Sequence, residues 1–259
     1  LPIQVLSASS YHQRFDAGRT RPCLFLCNGE GDEAPSEYIV KTKAGMDNGV
    51  NGLAAELLGA QLARFLDIPC PEPAIIDIDQ DMVDSVLDFE LKGNLLESIG
   101  LNFGSRFMHG YSTWPVAARV PSSLKGLATE IFAFDALTQN VDRRIQRPNV
   151  LYKGDEIIVI DHESSFSFLY ALTNEAPYQI SSLQFLSGHI FYPSLKGTAL
   201  RLDRFAGALE ALSDEVLEGM ANDMPEAWRT DNLIRILNHI KEVRNNVDIF
   251  VEEVRRCLQ

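Results

Sequence analysis

The sequence predicts an α+β protein, as one large domain or two lobes sharing a cleft, with an N-terminal antiparallel sheet and one helix (residues 1–110) and a mostly helical C-terminal part (111–259) holding one β-hairpin. Three observations predict it. Short apolar runs separated by Gly/Asp/Asn/Pro turns fill the first hundred residues, whereas helical apolar stripes dominate after residue 120. Within the second part lies NVDRRIQRPNVLYKGDEIIVIDHESSF, Asn140 to Phe166, in which a polar loop leads into two apolar runs joined by Lys153-Gly154-Asp155-Glu156. Gly-Asp between such runs signals a tight hairpin.

Composition fits a packed globular protein, with 46% hydrophobic and 23% charged residues in 259. A formal net charge of −13 argues against a general nucleic-acid binder, which needs a basic surface. It leaves room for a local basic pocket. Cys23, Cys27, Cys70 and Cys257 lack paired CxxC spacing and have apolar neighbours, which reads as free thiols in a reducing cytoplasm rather than a zinc site. No apolar run reaches the length of a membrane span, and no signal-peptide pattern opens the chain.

Taken in order, Ile3–Val5 begins a strand that runs to the turn Asp16-Ala17-Gly18-Arg19. The runs 22–27 (PCLFLC) and 37–43 (EYIVKTK) complete a three-stranded antiparallel meander. Gly18, Arg19 and Thr20 read either as a plain turn or as backbone N–H groups and a guanidinium over phosphates. On the third strand Tyr38 and Val40 alternate with Ile39 and Lys41, so Lys41 can face a cleft while its neighbours pack. Lys43 shares its face by period two, leaving one of the pair for solvent. The glycines of AGMDNGVNG read as a mobile connection. Residues 53–66 carry an amphipathic helical stripe, with Glu56 on its flank. Glu56 reads equally as a helix-dipole glutamate or as the partner of Lys41. Prolines in IPCPEP stop this helix. Ala74–Ile78 is a further strand, residues 79–99 are ambiguous, and Phe103–Met108 is a last strand. Met108 and the aromatics of HGYSTWP can line an adenine pocket or simply pack.

Ser122 or Ser123 is the expected N-cap of a buried helix ending at Asn140. The polar loop therefore sits on a rigid support. Asp142 and Asn149 of that loop, with Asp161 at the hairpin's end, can gather three oxygen ligands around a hard cation such as magnesium. Beyond it, Leu202, Phe205, Leu209 and Leu212 form one stripe, and Leu237, Ile240, Val247, Phe250 and Val254 another. Pro225 opens a short element carrying Trp228.

The order of strand lysine, helix glutamate, buried helix, Asp-loop-Asn, hairpin and Asp is that of a protein-kinase-like fold. GRTRP, YIVKTKAG, AAELLGAQLARFLDIPCPEP, FGSRF, NVDRRIQRPN and IDHESSF together resemble the HipA-like kinase family, a bacterial branch of that fold. The resemblance implies a two-lobed kinase that moves the γ-phosphate of ATP, with Mg2+, to a hydroxyl. It implies Asp142 as the residue that orients the acceptor hydroxyl and takes its proton. It implies Asn149 and Asp161 as magnesium ligands, Lys41 on the α/β-phosphates and Glu56 as its partner. Arg143 and Arg144 would stabilise the transferring phosphoryl group or brace the loop, with one of them a brace. A protein Ser/Thr acceptor is the family expectation; a lipid or small-molecule hydroxyl, or a pseudokinase that binds nucleotide without turnover, are the alternatives. Two departures stand out. Asn149 follows Asp142 by seven positions rather than the five usual in kinases, with Arg147 where the longer-looped relatives carry an asparagine. Ala55 replaces the asparagine that usually precedes the helix glutamate. Ser9, Ser10 and Thr20 are candidate autophosphorylation sites. A hydrolase built on His109, His162 and Asp161 is disfavoured, because adjacent strand residues point apart.

Overall fold

In the computed structural model, which describes all residues except 1, 16–19, 30–33, 117, 172–174, 181–182 and 199–200, strands β1 (Gln4–Arg14), β2 (Cys23–Asn28) and β3 (Ser36–Lys41) form the expected antiparallel meander. Cys23, Phe25, Cys27, Tyr38 and Val40 point to the barrel interior, and Ile39 and Lys41 take the opposite face of β3, on the cleft. The meander is only part of the sheet. Strand β4 (Pro73–Ile78) runs parallel to β1, and β5 (Gly100–Arg106) joins β3 to β4, closing a five-stranded barrel in the order β1-β2-β3-β5-β4. The parallel pairing is possible because a helix separates β3 from β4 and carries the chain back across the sheet. Closure pairs every strand of this sheet on both sides.

That helix, α1 (Val50–Phe65), begins three residues before the stripe suggests and takes in the second half of the glycine-rich stretch. The first half forms a 3-10 turn over Lys43–Gly45, so Lys43 is exposed beyond the end of β3 rather than on its face. The expected amphipathic stripe is incomplete as a description: twelve of the sixteen positions of α1 are buried. The helix lies between Ile75 and Phe103 on the outside of the barrel and the C-terminal helices, so it needs an apolar surface all round.

Residues 79–99 resolve into α2 (Gln80–Ser85) and α3 (Phe89–Glu97). Asp79 caps the first by accepting from the Met82 N–H (2.7 Å), and Asp88 caps the second through the Leu91 N–H (2.9 Å). Met82, Val83, Leu91 and Leu95 close the barrel core from this side.

After β5 the chain enters a second sheet, β6 (Ser112–Thr113), β7 (Val150–Lys153) and β8 (Glu156–Val159), in the order β6-β7-β8. Gly154 turns the hairpin at φ +58°, a conformation in which a Cβ would be strained. The serine cap expected for the next helix is absent: Ser122–Leu124 is a 3-10 turn, and α4 (Lys125–Thr138) starts from it without a side-chain cap. Burial of Ile131, Phe132, Phe134 and Leu137 holds α4 instead. The remaining helices are α5 (Tyr192–Leu195), α6 (Asp203–Glu210), α7 (Asp214–Asn222), α8 (Asp231–Asn245) and α9 (Val247–Cys257). The stripes read from the sequence are core: Phe205, Leu209, Ile240 and Phe250 are fully buried, with Trp228 beside them in the same cluster. Among the described residues no helix is long and apolar enough to cross a membrane.

Asp88→Ala should lower unfolding stability by about 1 kcal/mol through loss of the cap. Asp81→Ala, in the first turn of α2 without a capping bond, should change it by less than about 0.5 kcal/mol. Urea denaturation of the two variants checks this.

Candidate active site

The end of β3 delivers Lys41, and α1 lays Glu56 across from it. Lys41 Nζ donates to Glu56 Oε1, lies 2.8 Å from Asp161 Oδ1 and 4.0 Å from Glu163 Oε2. Glu56 also accepts the backbone N–H groups of His162 (2.9 Å) and Glu163 (3.0 Å). One carboxylate thus ties the barrel, α1 and the exit of β8 together. Gly59, one helical turn after Glu56, permits the approach: a Cβ there would lie 2.6 Å from His162 Cβ.

The charges in this cluster control one another. Burial alone would lower the Lys41 pKa, but Asp161 and Glu56 together outweigh it and hold the ammonium above the usual lysine range. Burial alone would raise Asp161, yet Lys41 overrides it and pulls the carboxyl down to about 2. Burial raises Glu56, with Lys41 opposing, and burial likewise raises Glu163. Carboxylate oxygens of Glu56, Asp161 and Glu163 fall within 4.8 Å of one another, with Lys41 the single ammonium among them in the described residues. Such an oxygen-only set, with more acid than base, fits a hard divalent cation.

The polar loop is fastened at both ends. Asn140 Oδ1 accepts the Asp142 N–H (3.1 Å), and its amide nitrogen reaches the Asp161 carbonyl (3.4 Å). Arg143 is the bracing arginine. It is fully buried, donates from Nε to Asp135 Oδ2 of α4 (2.6 Å), and from Nη1 to the carbonyls of Asn149 and Ile160. His189 Nε2 shares the same Asp135 oxygen at 2.9 Å. Burial would raise the Asp135 carboxyl, but Arg143 reverses this and keeps it low. Arg144 and Arg147 instead turn outward and close on Asp142, Arg144 Nη2 at 2.9 Å from Oδ1 and Arg147 Nη1 at 3.3 Å from Oδ2.

Asn149 and Asp161 flank the open end of the hairpin, both left-handed at φ +47° and +62°. Asn and Asp enter this region more readily than other side chains, though still at a cost of about 1 kcal/mol or more each. Both line the cleft, and the Asn149 side-chain nitrogen is buried with no hydrogen-bond partner among the described residues. The cleft encloses about 760 Å³ and gathers Lys41, Glu56, Met108, Asp142, Asn149 and Asp161 on one surface. That volume is within the range of small-molecule sites.

Gly18 and Arg19 lie outside the described residues; Thr20, the next residue, is on the cleft wall. Ser9 sits on β1 and donates to the Leu26 carbonyl at 3.0 Å. The disfavoured histidine set does not meet. His109 is exposed and pairs with Glu37 (2.8 Å), while His162 is buried edge-on to Phe134. Glu163, Gly59 and Arg147 are the parts that sequence reasoning missed as contributors to the site's geometry. The acid two residues past Asp161 is the visible signal for the first, and the other two carry no local signature.

A family model described as HipA-like kinase matches residues 9–256. The chain belongs to the HipA-like kinase family, whose chemistry is phosphoryl transfer of the kinase type. A crystal structure of a Helicobacter pylori proinflammatory kinase, CtkA, superposes with a TM-score of 0.54 over 100% of both chains at 12% identity. At that identity the match shows a shared fold. A complex of Neurospora crassa PAN2 with the PAN3 pseudokinase gives a TM-score of 0.37 at 11% identity, covering 95% of this chain and 65% of that one, too low to carry an argument. No curated protein matches by sequence.

Gly59→Ala should force α1 away from residues 161–163, lowering stability by about 1–3 kcal/mol as overpacking does. Thermal or urea unfolding measures it, and retention of wild-type stability would refute the close-approach argument. Burial holds the His162 pKa down to about 3, below the ordinary value near 6.5. Its folded pKa is depressed, so the unfolded chain takes up the proton first. His162 therefore supports the fold above about pH 6.5, and that support is lost as pH falls from there toward 3, with a slope of up to about 1.4 kcal/mol per pH unit. His162→Gln should flatten the pH dependence of unfolding in that window.

Proposed function

We propose that this chain is an ATP- and Mg2+-dependent phosphotransferase that moves the γ-phosphate of ATP to a hydroxyl, with Ser or Thr of a protein as the acceptor. The observation that carries the reading is the convergence of Lys41–Glu56, Asp142, Asn149 and Asp161 on one cleft of nucleotide size. Asn149 and Asp161 would hold the magnesium ion, which when bound offsets charge on the phosphate oxygens. Lys41, aimed by Glu56, contacts the α/β-phosphates once the nucleotide displaces its contact with Asp161. Gly18 and Arg19 are proposed to cover the phosphates, and Met108 to form part of the adenine wall.

Asp142 receives the proton of the acceptor hydroxyl as its oxygen bonds to the γ-phosphorus and the bond to the ADP oxygen breaks. An ionised carboxylate is the form this needs. Arg144, already at the loop, is proposed to offset charge on the transferring group. Catalysis of this kind is mostly positioning and charge compensation, so rigid fastening of the loop matters as much as the residues themselves. The division at residues 110/111 is proposed as the lobe boundary, and the four free thiols suit a cytoplasmic location.

One observation favours a second reading, a nucleotide-binding pseudokinase: both oxygens of Asp142 are engaged by arginines. With γ-labelled ATP and Mg2+, the wild type should label itself or an added protein acceptor, and Asp142→Asn and Asp161→Asn should each lose about 10²-fold or more. In thermal-shift measurements Asp161→Asn should lose the Mg-dependent stabilisation by ATP, and Asp142→Asn should keep it. Mg-dependent nucleotide binding without transfer to any acceptor would establish the pseudokinase reading.

A further inference from the structure

We infer that Arg144 and Arg147 form an anion-recognition site on the acceptor side of the cleft, which selects hydroxyl acceptors carrying a carboxylate or phosphate beside the reacting oxygen. The inference rests on the proposed assignment of Asp142 as the residue that orients the acceptor, and it adds the chemical class of that acceptor.

The geometry comes from the two extra residues of the loop. Arg144 and Arg147 exchange both backbone hydrogen bonds, N–H to carbonyl at 3.0 and 2.9 Å, so Ile145 and Gln146 form a tight turn of their own. The turn draws the two arginines together and sets both guanidinium groups on the single carboxylate of Asp142. Two cations against one anion leave a local surplus of one positive charge, in a chain whose formal net charge is −13.

The surplus is accessible. The side chains of Arg144 and Arg147 are 50% and 46% exposed, against 13% for Asp142. Each guanidinium has five N–H donors, of which Asp142 occupies one apiece, and their remaining donors have no partner among the described residues. Planar donors of this kind suit carboxylate and phosphate oxygens. A merely bracing role is already filled by the fully buried Arg143. The α/β-phosphates would be served separately by Lys41, which lies with Glu56 and Asp161. Gln146, Arg147 and Pro148 line the cleft wall together with Asp142, which puts the surplus charge where an acceptor segment would approach. An arriving anion would also draw the guanidinium groups off Asp142, freeing its oxygens for the hydroxyl. The same contacts that close Asp142 in the free protein would in this way make its release depend on the right acceptor.

The test uses the full chain, Mg2+ and matched Ser peptides whose flanking positions are neutral, Asp/Glu or phosphoserine. Transfer should favour the acidic or phosphorylated peptides by roughly ten-fold in kcat/KM, mainly through KM. The Asp/Glu and phosphoserine arms show which anion is preferred. Arg147→Gln should abolish most of that preference, read as the ratio of acidic to neutral kcat/KM within the variant so that any change in transfer through Asp142 cancels, and Arg147→Lys should restore part of it. Binding of the same peptides, followed by fluorescence anisotropy with a non-hydrolysable ATP analogue, gives a readout independent of chemistry. Transfer without acidic preference in the wild type, or preference unchanged in Arg147→Gln, overturns the inference and leaves the kinase reading standing. Acidic-peptide binding that Arg147→Gln weakens, with no transfer to any peptide, supports the anion site and removes the kinase reading. Equal binding of neutral and acidic peptides, with no transfer, overturns both.

Discussion

The contact on which the rest of the molecule depends is made by Glu56. Its carboxylate holds Lys41 of the barrel on one side and the backbone N–H groups of residues 162 and 163 on the other. The buried ion pair need not add net stability, since desolvating two charges offsets most of their attraction. Removing one partner is another matter, because it strands a charge among apolar residues at a cost of about 3–5 kcal/mol. Only one relative placement of β3, α1 and the β8 exit satisfies all of these groups together. What the interaction fixes, then, is position, which is the quantity that a phosphoryl-transfer site needs most.

Arg143 does for the loop what Glu56 does for the cleft. Its guanidinium spans from Asp135 on α4 to the carbonyls of Asn149 and Ile160, the two residues that close the open end of the hairpin. Those carbonyls face Arg143 while the next residues on each side begin the β7–β8 ladder. Asn149 and Asp161 depart from the ladder in left-handed conformations that ordinary strand geometry would not supply. The local strain is held in place by the buried cation, and both side chains are left on the cleft.

Much of this is legible in the sequence where a short-range rule applies. Period-two alternation puts Lys41 on the opposite face of β3 from Val40, and Gly-Asp between apolar runs locates the hairpin. The family wording picks out Asp142, Asn149 and Asp161. The hidden part is of longer range. Barrel closure depends on pairing β1 with β4, about seventy residues away, and no local pattern encodes that parallel register. Helices α2 and α3 are too short for periodicity to declare them, and only the Asp79 and Asp88 caps mark their starts. The apolar stripe of α1 understates its burial because small residues, Gly52, Ala54, Ala55, Gly59, Ala60 and Ala63, provide the contacts on its other faces. The meaning of Gly59 is set by His162, a hundred positions on, and cannot be read from its neighbours.

The seven-residue spacing from Asp142 to Asn149 is the point at which the sequence departs most from the kinase pattern, because a longer loop can carry the asparagine out of reach of Asp161. The additional length is taken up at the loop's tip. Arg144 to Arg147 fold into a closed turn whose ends are hydrogen-bonded to each other, so the loop can lengthen there without displacing the start of β7. Beyond the turn, Arg143 grips the Asn149 carbonyl, and the Ile160 N–H donates to that same oxygen at 3.0 Å. The start of β7 is therefore fixed by two donors that do not belong to the loop's turn at all. Loop length and asparagine position are thereby uncoupled. Insertions at the tip are tolerated as long as Arg143 and the hairpin remain, which is how a departure in spacing leaves Asn149 on the same cleft as Asp161.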